Sequence, residues 1–186
     1  MPQQRKRSAE AAANEKVIPM KKRIYRSTPV NQVNSDELGR AVAGQPVVFG
    51  IDVAKTKQVA VFVTPDGSVK QTVSWKHPCE TPQVIALLKG LPATSVTAAV
   101  EPTGSYGDAL RGQLRGVGVP VYVVGAKRVH DYAEVYDGVP SSHDAKSAAM
   151  VAKLHLDGAS RPWEEKSEDE RRIVAALRTH DRYDKQ

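Results

Sequence analysis

The chain has 186 residues, a net charge of +6 and a single cysteine, Cys79. This length allows one ordinary domain with appendages, and one cysteine excludes an internal disulfide, which is typical of the reducing cytoplasm. No apolar stretch approaches the roughly 20 residues that span a bilayer. The N-terminus also lacks the apolar core of a secretory signal. We therefore expect a soluble cytoplasmic protein with no membrane partner.

The positive charge is concentrated at the N-terminus. Residues 1–46 hold nine Lys or Arg against four Asp or Glu, whereas residues 47–186 hold eighteen against seventeen. The basic clusters are Arg5, Lys6 and Arg7, followed by Lys21, Lys22 and Arg23. Such clusters can lie along nucleic-acid phosphates, a contact that is independent of sequence and sensitive to salt. The alternative is a solvated tail with no specific role.

The first 45 residues show scattered polar residues and little periodicity, which predicts a disordered basic tail over 1–45. Within it, Ser35–Ala43 has the pattern of a short helix capped by Ser35. Three strands are predicted next, joined as an antiparallel meander with a Pro-Asp-Gly turn before the third. They are Val47–Val53, Gln58–Thr64 and Val69–Trp75.

From Thr81 onward, helical and strand patterns alternate. A helix from Thr81 to Pro92 is followed by a strand, a helix, a strand and a helix. These are Ser95–Glu101, Tyr106–Arg115, Val119–Val124 and Ala126–Val135. Alternation of this kind predicts parallel strands joined by right-handed helical crossovers. A three-strand meander followed by parallel βαβ strands indicates an α/β protein with a five-stranded, ribonuclease-H-like mixed sheet flanked by helices.

Two further helices are predicted near the C-terminus. The first runs from about Ser142 to Leu156, and its spacing puts Asp144 and Ser147 on one face. The second begins after Ser167, where Ser-Glu-Asp-Glu is a capping box. Its narrow apolar stripe requires a partner helix or a downstream domain. We therefore predict a ribonuclease-H-like domain over 46–160 and a helical linker over 161–186.

Three isolated carboxylates mark this predicted domain: Asp52 in the first strand, Glu101 at the end of a later one, and Asp144 in the first turn of a helix. A charge in a buried strand is costly unless it is paired or bound to a metal. The pattern therefore indicates a divalent-metal site for phosphodiester chemistry.

Each acid also has an ordinary structural explanation. Asp52 could be a buried acid hydrogen-bonded to its neighbours, and Glu101 could end a strand at its solvated tip. Asp144 would interact well with a helix dipole as residue N3 of a helix capped by Ser141, whatever the function.

Four segments together resemble the N-terminal domain of IS110-type (DEDD) transposases. The first is Gly50–Lys55, Gly-Ile-Asp-Val-Ala-Lys, and the second is Glu101–Gly107, Glu-Pro-Thr-Gly-Ser-Tyr-Gly. The third is the strand Val121–Val124. The fourth is Asp144–Ala148, Asp-Ala-Lys-Ser-Ala, with Met150–Ala152 behind it. Gly-Ile-Asp-Val alone is weak, but the combination in this order is fairly specific.

The resemblance implies DNA transposition by recombination, with DNA as partner, a structured guide RNA in some members and a homo-oligomer in the full-length form. It implies a ribonuclease-H-like domain in which four acids bind Mg²⁺ or Mn²⁺, and a separate C-terminal domain with a serine nucleophile. Carried over by position, the catalytic and metal-binding acids are Asp52, Glu101 and Asp144. The fourth position, three residues after Asp144, is Ser147.

The chain departs from the family pattern in two ways. A hydroxyl at Ser147 binds Mg²⁺ poorly beside carboxylates, so we expect a three-carboxylate site, with Asp137 in the preceding turn as a possible substitute. The chain also ends at Gln186, inside what resembles the linker helix, so we expect a fragment or truncated product that does not complete recombination alone.

Two other functions compete with this one. A nucleic-acid-binding module that has lost catalysis would explain Ser147 and the basic tail. An ATP-binding domain of the actin-like superfamily begins with a similar strand and hairpin, but it needs two phosphate-binding hairpins on two lobes, for which 186 residues are too few.

Overall fold

The computed structural model describes residues 26–102, 107–136, 143–165, 167–170, 172–173 and 176–177. Strands β2 (Pro46–Asp52), β3 (Lys57–Val63) and β4 (Val69–Lys76) form the predicted antiparallel meander. Their apolar residues are almost all buried, because helices cover both faces of the sheet. Dense Val and Phe in these segments favours extended backbone, since branched and aromatic side chains pack well on a pleated surface.

The second half alternates strand and helix, as predicted. Its elements are α2 (Thr81–Gly90), β5 (Ser95–Val100), α3 (Asp108–Gly116), β6 (Val121–Val124), α4 (Ala126–Tyr136) and α5 (Asp144–Leu156). Strand β5 pairs parallel with both β2 and β6. The core strand order is therefore β4-β3-β2-β5-β6, the ribonuclease-H-like arrangement.

The expectation of five strands is too low for the described residues, which form a seven-stranded sheet. The additional strands are short and lie at the two edges. Strand β1 (Thr28–Pro29) pairs parallel with β4, and β7 (Ser160–Pro162) pairs antiparallel with β6. Both contain proline, which a sheet tolerates at its edge because it lacks a backbone N–H.

The prediction of a disordered tail over 1–45 is wrong for its second part. After β1, a 3₁₀ turn (Val30–Gln32) leads into α1 (Ser35–Val42), which buries Leu38 and Val42 against the sheet. The predicted short helix is confirmed, but its cap is Asn34, whose Oδ1 accepts a hydrogen bond from the Glu37 N–H at 3.1 Å. Residues 1–25, including all six residues of the basic clusters, lie outside the described residues.

The folded unit also continues past the expected boundary at residue 160. The backbone N–H of Trp163 donates to the Val121 carbonyl at 2.8 Å. The centroid of the Trp163 ring lies 5.7 Å from the guanidinium carbon of buried Arg111 on α3. A cation over an indole face is attracted by the ring quadrupole. The described core therefore extends from Thr28 to Trp163.

The capping box at Ser167 is confirmed. The Ser167 N–H donates to Glu170 Oε2 at 2.7 Å, and the Glu170 N–H donates to Ser167 Oγ at 3.2 Å. In the helix that follows, Ile173 and Leu177 are 59% and 61% exposed. This exposure agrees with the prediction of a narrow apolar stripe that the core does not cover. No helix among the described residues is long and apolar enough to cross a membrane.

The two faces of the sheet bury different cores. One face, under α1, α2 and α3, includes Phe49, Phe62 and Trp75. The other face packs against α5 and includes Val48, Val61 and Ala99. Successive residues of a strand point to opposite faces, so this division also fixes the direction of the polar residues at the strand ends.

Candidate active site

Asp52 and Glu101 lie at the ends of two adjacent central strands. Strands β2 and β5 are parallel, with Ile51 opposite Val100, and one more residue in the same register brings Asp52 beside Glu101. Asp52 follows Val48 by four residues and Glu101 follows Ala99 by two, so both share the face that α5 covers. Parallel pairing thus brings the two acids together at one edge of the sheet.

Helix α5 lies unusually close to β2 at Gly50. A Cβ atom built at Gly50 would stand 2.5 Å from the Ala148 carbonyl oxygen and 2.6 Å from the Ala152 Cβ, so only glycine fits there. Asp144, Ala148 and Ala152 are spaced by four residues and form one row along the helix. The row that packs on Gly50 therefore carries Asp144 at its N-terminal end.

The direction of α5 brings Asp144 to the same end of the sheet as Asp52. At its C-terminal end, His155 Nε2 lies 3.3 Å from Thr97 Oγ1, near the start of β5. The helix therefore runs antiparallel to β5 and to its parallel neighbour β2. Its first residue, Asp144, is exposed near the C-terminal ends of these strands, where Asp52 and Glu101 stand.

The helix begins two residues later than the cap at Ser141 would require. His143 is the N-cap, and its Nδ1 accepts a hydrogen bond from the Lys146 N–H at 3.2 Å. Asp144 is therefore residue N1 and not N3. It still lies in the first turn, where the helix dipole favours a negative charge. Sequence inspection missed this cap because histidine is not among the residues preferred at N-cap positions.

The charges of the three acids interact. The pKa of Asp52 is raised to about 6, first by burial, then by the negative charge of Asp144 and then by that of Glu101. Burial also raises the pKa of Glu101. Like charges in a partly buried site disfavour ionisation unless a cation balances them. Three carboxylates whose negative charges interact form a donor set that fits a hard divalent ion such as Mg²⁺.

The site is nonetheless open. Among the described residues, no group of three or more His, Cys, Asp or Glu side chains lies close enough together to hold a metal ion. Ser147, one turn after Asp144, is partly buried. The assignment of Asp52, Glu101, Asp144 and Ser147 as metal ligands therefore stays a prediction. Asp137, the possible substitute, lies outside the described residues.

Two positioning residues escaped the sequence analysis. Gly50 sets the approach of α5, and its signal was a lone glycine between bulky strand residues. The Gln58 side chain is buried and spans the turn between β2 and β3. Its Oε1 accepts from the Ala54 N–H at 3.1 Å and its Nε2 donates to the Ala54 carbonyl at 2.6 Å. This clamp of Gln58 on Ala54 fixes the backbone of the turn that follows Asp52.

A mixed sheet of this strand order, with acids at the ends of its two central parallel strands, defines a ribonuclease-H-like domain. Residues 49–186 match the family model of the IS110-type DEDD transposases, described as "Transposase". The match spans most of the chain, so this protein belongs to the IS110-type DEDD transposase family. The resemblance inferred from its motifs is confirmed.

A comparison with curated proteins gave no match. Among solved structures, the chain is similar to "T. thermophilus RuvC in complex with Holliday junction substrate". The identity is 18%, the alignment covers 63% of this chain and 99% of that chain, and the TM-score is 0.44.

Proposed function

We propose that this chain is the catalytic domain of an IS110-type transposase and supports divalent-metal-dependent cleavage and transfer of DNA strands. The observation that carries the proposal is the electrostatic influence of Asp144 and Glu101 on Asp52, at the end of the sheet to which the β2–β5 register and the close packing of α5 on Gly50 direct them. Family membership supplies the reaction class.

In this proposal Asp52, Glu101 and Asp144 are the residues that would hold Mg²⁺ or Mn²⁺. The bound ion would supply Lewis-acid polarisation of a phosphoryl oxygen. The role of the three carboxylates is to fix the ion at the sheet edge, and the rigid strands and the first turn of α5 supply that fixed position. Ser147 stands where the family has a fourth acid, so we expect weaker binding at any second metal position. A guide RNA and a homo-oligomer remain predictions from the family resemblance.

The test is metal-dependent stability, because a ligand that binds only the folded state raises its free energy of unfolding. Thermal unfolding of the wild type should shift upward on titration with Mg²⁺ or Mn²⁺. Asp52→Asn should lose most of that shift, whereas Asp36→Asn, an exposed acid on α1, should keep it. Equal shifts in all three proteins would contradict the assignment of the site.

The alternative is a nucleic-acid-binding module without catalysis. The open arrangement of the acids and the hydroxyl of Ser147 favour it. It predicts DNA binding with no metal-induced shift in melting temperature, and no nicking of plasmid DNA in Mn²⁺. A metal-induced shift together with nicking that Asp52→Asn abolishes would exclude this alternative.

A further inference from the structure

We propose that Lys57 and Lys76 bind the backbone phosphates of a DNA strand next to the phosphate that reacts. The inference rests on the proposed function, because it takes the three carboxylates as the reaction centre. It adds a binding surface, the lysine pair, on the meander side of the acids.

The two lysines face each other across the start of β3 and the end of β4. They are directly opposite in the antiparallel register, and both are exposed. Residues opposite each other share one face of the sheet, and Lys57 has the same alternation as Val61 and Val63, which pack against α5. The lysine pair therefore lies on the face that carries Asp52 and Glu101.

The spacing between the lysines and the acids suits neighbouring phosphates. Val59 is the residue opposite Asp52, and Lys57 lies two residues before Val59. One strand spacing across the sheet and two residues along it give a separation on the order of 8 Å at the backbone. A lysine side chain can cover the remaining distance to a phosphate adjacent to one held at Asp52.

A pocket of about 200 Å³ connects the two groups. It is lined by Ser27, Lys57, Val59, His143, Asp144 and Ala145. Lys57 and Asp144 thus border the same small space from β3 and from α5. No ion pair joins them in the part of the chain that the structure describes. A cation on one wall and a carboxylate on the other match a phosphodiester bound between an ammonium group and a metal-binding acid.

The lysine pair is unfavourable for the fold by itself. Like charges directly opposite each other in a sheet repel and destabilise the pairing. Glu80 is close, but its Oε2 accepts from the backbone N–H of Lys76 at 2.6 Å. An anionic ligand would remove the repulsion, and lysine is a common phosphate contact in protein–DNA complexes.

The experiment measures binding of a fluorescein-labelled 20-nucleotide single-stranded DNA by anisotropy, over a range of KCl concentrations and with EDTA present. The wild-type chain of residues 1–186 is compared with Lys57→Gln, Lys57→Gln/Lys76→Gln and the control Lys89→Gln, an exposed lysine on α2 over the opposite face. Each lost phosphate contact should reduce the salt slope by about 0.7. We expect reductions of about 0.7 and 1.4 for the single and double variants and no change for the control. Slopes of both lysine variants equal to that of the control would overturn the proposal.

Two further measurements separate this inference from the proposed function. The Mn²⁺-induced shift in melting temperature should persist in Lys57→Gln, because Lys57 is not a metal ligand. Loss of that shift in Lys57→Gln would contradict the assignment, whereas its absence in the wild type would contradict the proposed function. The same titrations with single-stranded RNA decide the polymer: a loss confined to RNA would overturn the assignment to DNA.

Discussion

The two faces of the sheet are packed with side chains of different size. Under α1, α2 and α3 the core contains large rings, with Phe49 4.8 Å from Phe62 and 6.0 Å from Trp75 between ring centroids. Under α5 the contact is made by small residues, with Gly50 against Ala148 and Ala152. Large buried rings supply stabilisation, whereas small residues allow backbones to approach closely. The ring-bearing face therefore stabilises the fold, and the small-residue face positions Asp144 relative to Asp52.

The largest effect is expected on the ring-bearing face. Phe49→Ala removes a fully buried ring and should lower the free energy of unfolding by about 3–5 kcal/mol, measured by urea denaturation. Because Phe49 points away from the acids, the remaining folded protein should still respond to Mn²⁺. A loss below 1 kcal/mol would contradict the conclusion that the ring-bearing face stabilises the fold.

A single methyl group should be enough to disturb the small-residue face. Gly50→Ala forces the Ala148 carbonyl away from β2, and we expect a loss of about 1–3 kcal/mol together with a weaker Mn²⁺ response. The matched control is Gly112→Ala in α3, where an added Cβ has nothing within 4 Å. That change should be neutral or stabilise by up to about 1 kcal/mol through helix propensity. Similar losses in both variants would refute the role of the close approach.

Ionisation of Asp52 should lower the free energy of unfolding at neutral pH. Asp52 has its pKa raised from 3.8 to about 6, so between these values the folded state binds more protons than the unfolded state. Without metal, the free energy of unfolding should therefore fall as pH rises from about 4 to 6 and stay lower above that range. This rise in the pKa of Asp52, reduced by the partial exposure of the side chain, corresponds to a loss of about 1–2 kcal/mol in the free energy of unfolding.

Asp52→Asn removes this dependence. In EDTA the variant should be more stable than the wild type by about 1–2 kcal/mol at pH 7.5, and the difference should vanish near pH 4. Urea unfolding at pH 4, 5, 6 and 7.5 measures it. Curves that run parallel over this range would show that Asp52 ionises as it does in the unfolded chain.

The smallest expected effect concerns the fourth position. Ser147→Asp adds a carboxylate one turn from Asp144, and without metal it should cost a few tenths of a kcal/mol through like-charge repulsion. With Mn²⁺ present, the melting temperature should become more metal-dependent than in the wild type. Thermal unfolding over a Mn²⁺ series compares the two. Identical metal responses would mean that Ser147 does not occupy the fourth ligand position.

Much of this comparison could be predicted from the sequence, and the reasons are local. Apolar runs, the Pro-Asp-Gly turn and Thr81-Pro82 each encode their own element, so the meander and the βα alternation were predicted correctly. The position of Asp52 and Glu101 followed from the rule that parallel strands end at the same edge. The capping box at Ser167 is likewise a short-range signal.

The parts that were missed depend on tertiary contacts. Strand β1 was missed, and so was the packing of the predicted helix α1 on the sheet, because Leu38 and Val42 are buried against strands that come later in the chain. The cap at His143 and the clamp of Gln58 on Ala54 need a defined partner in space. Sequence spacing predicted that the three acids lie at one end of the sheet, but it could not indicate that α5 would touch β2 without an intervening side chain.

The edge strand β1 has a consequence for the basic N-terminal residues. Ser27, just before β1, lines the pocket that Lys57 and Asp144 share. A chain spans at most about 3.6 Å per residue, so Arg23 is tethered within ~14 Å of Ser27 and Lys21 within ~22 Å. The chain length therefore keeps these positive charges within reach of any phosphate bound in the pocket. A short tether of this kind acts as a high local concentration of cations, independent of how the rest of the segment is arranged.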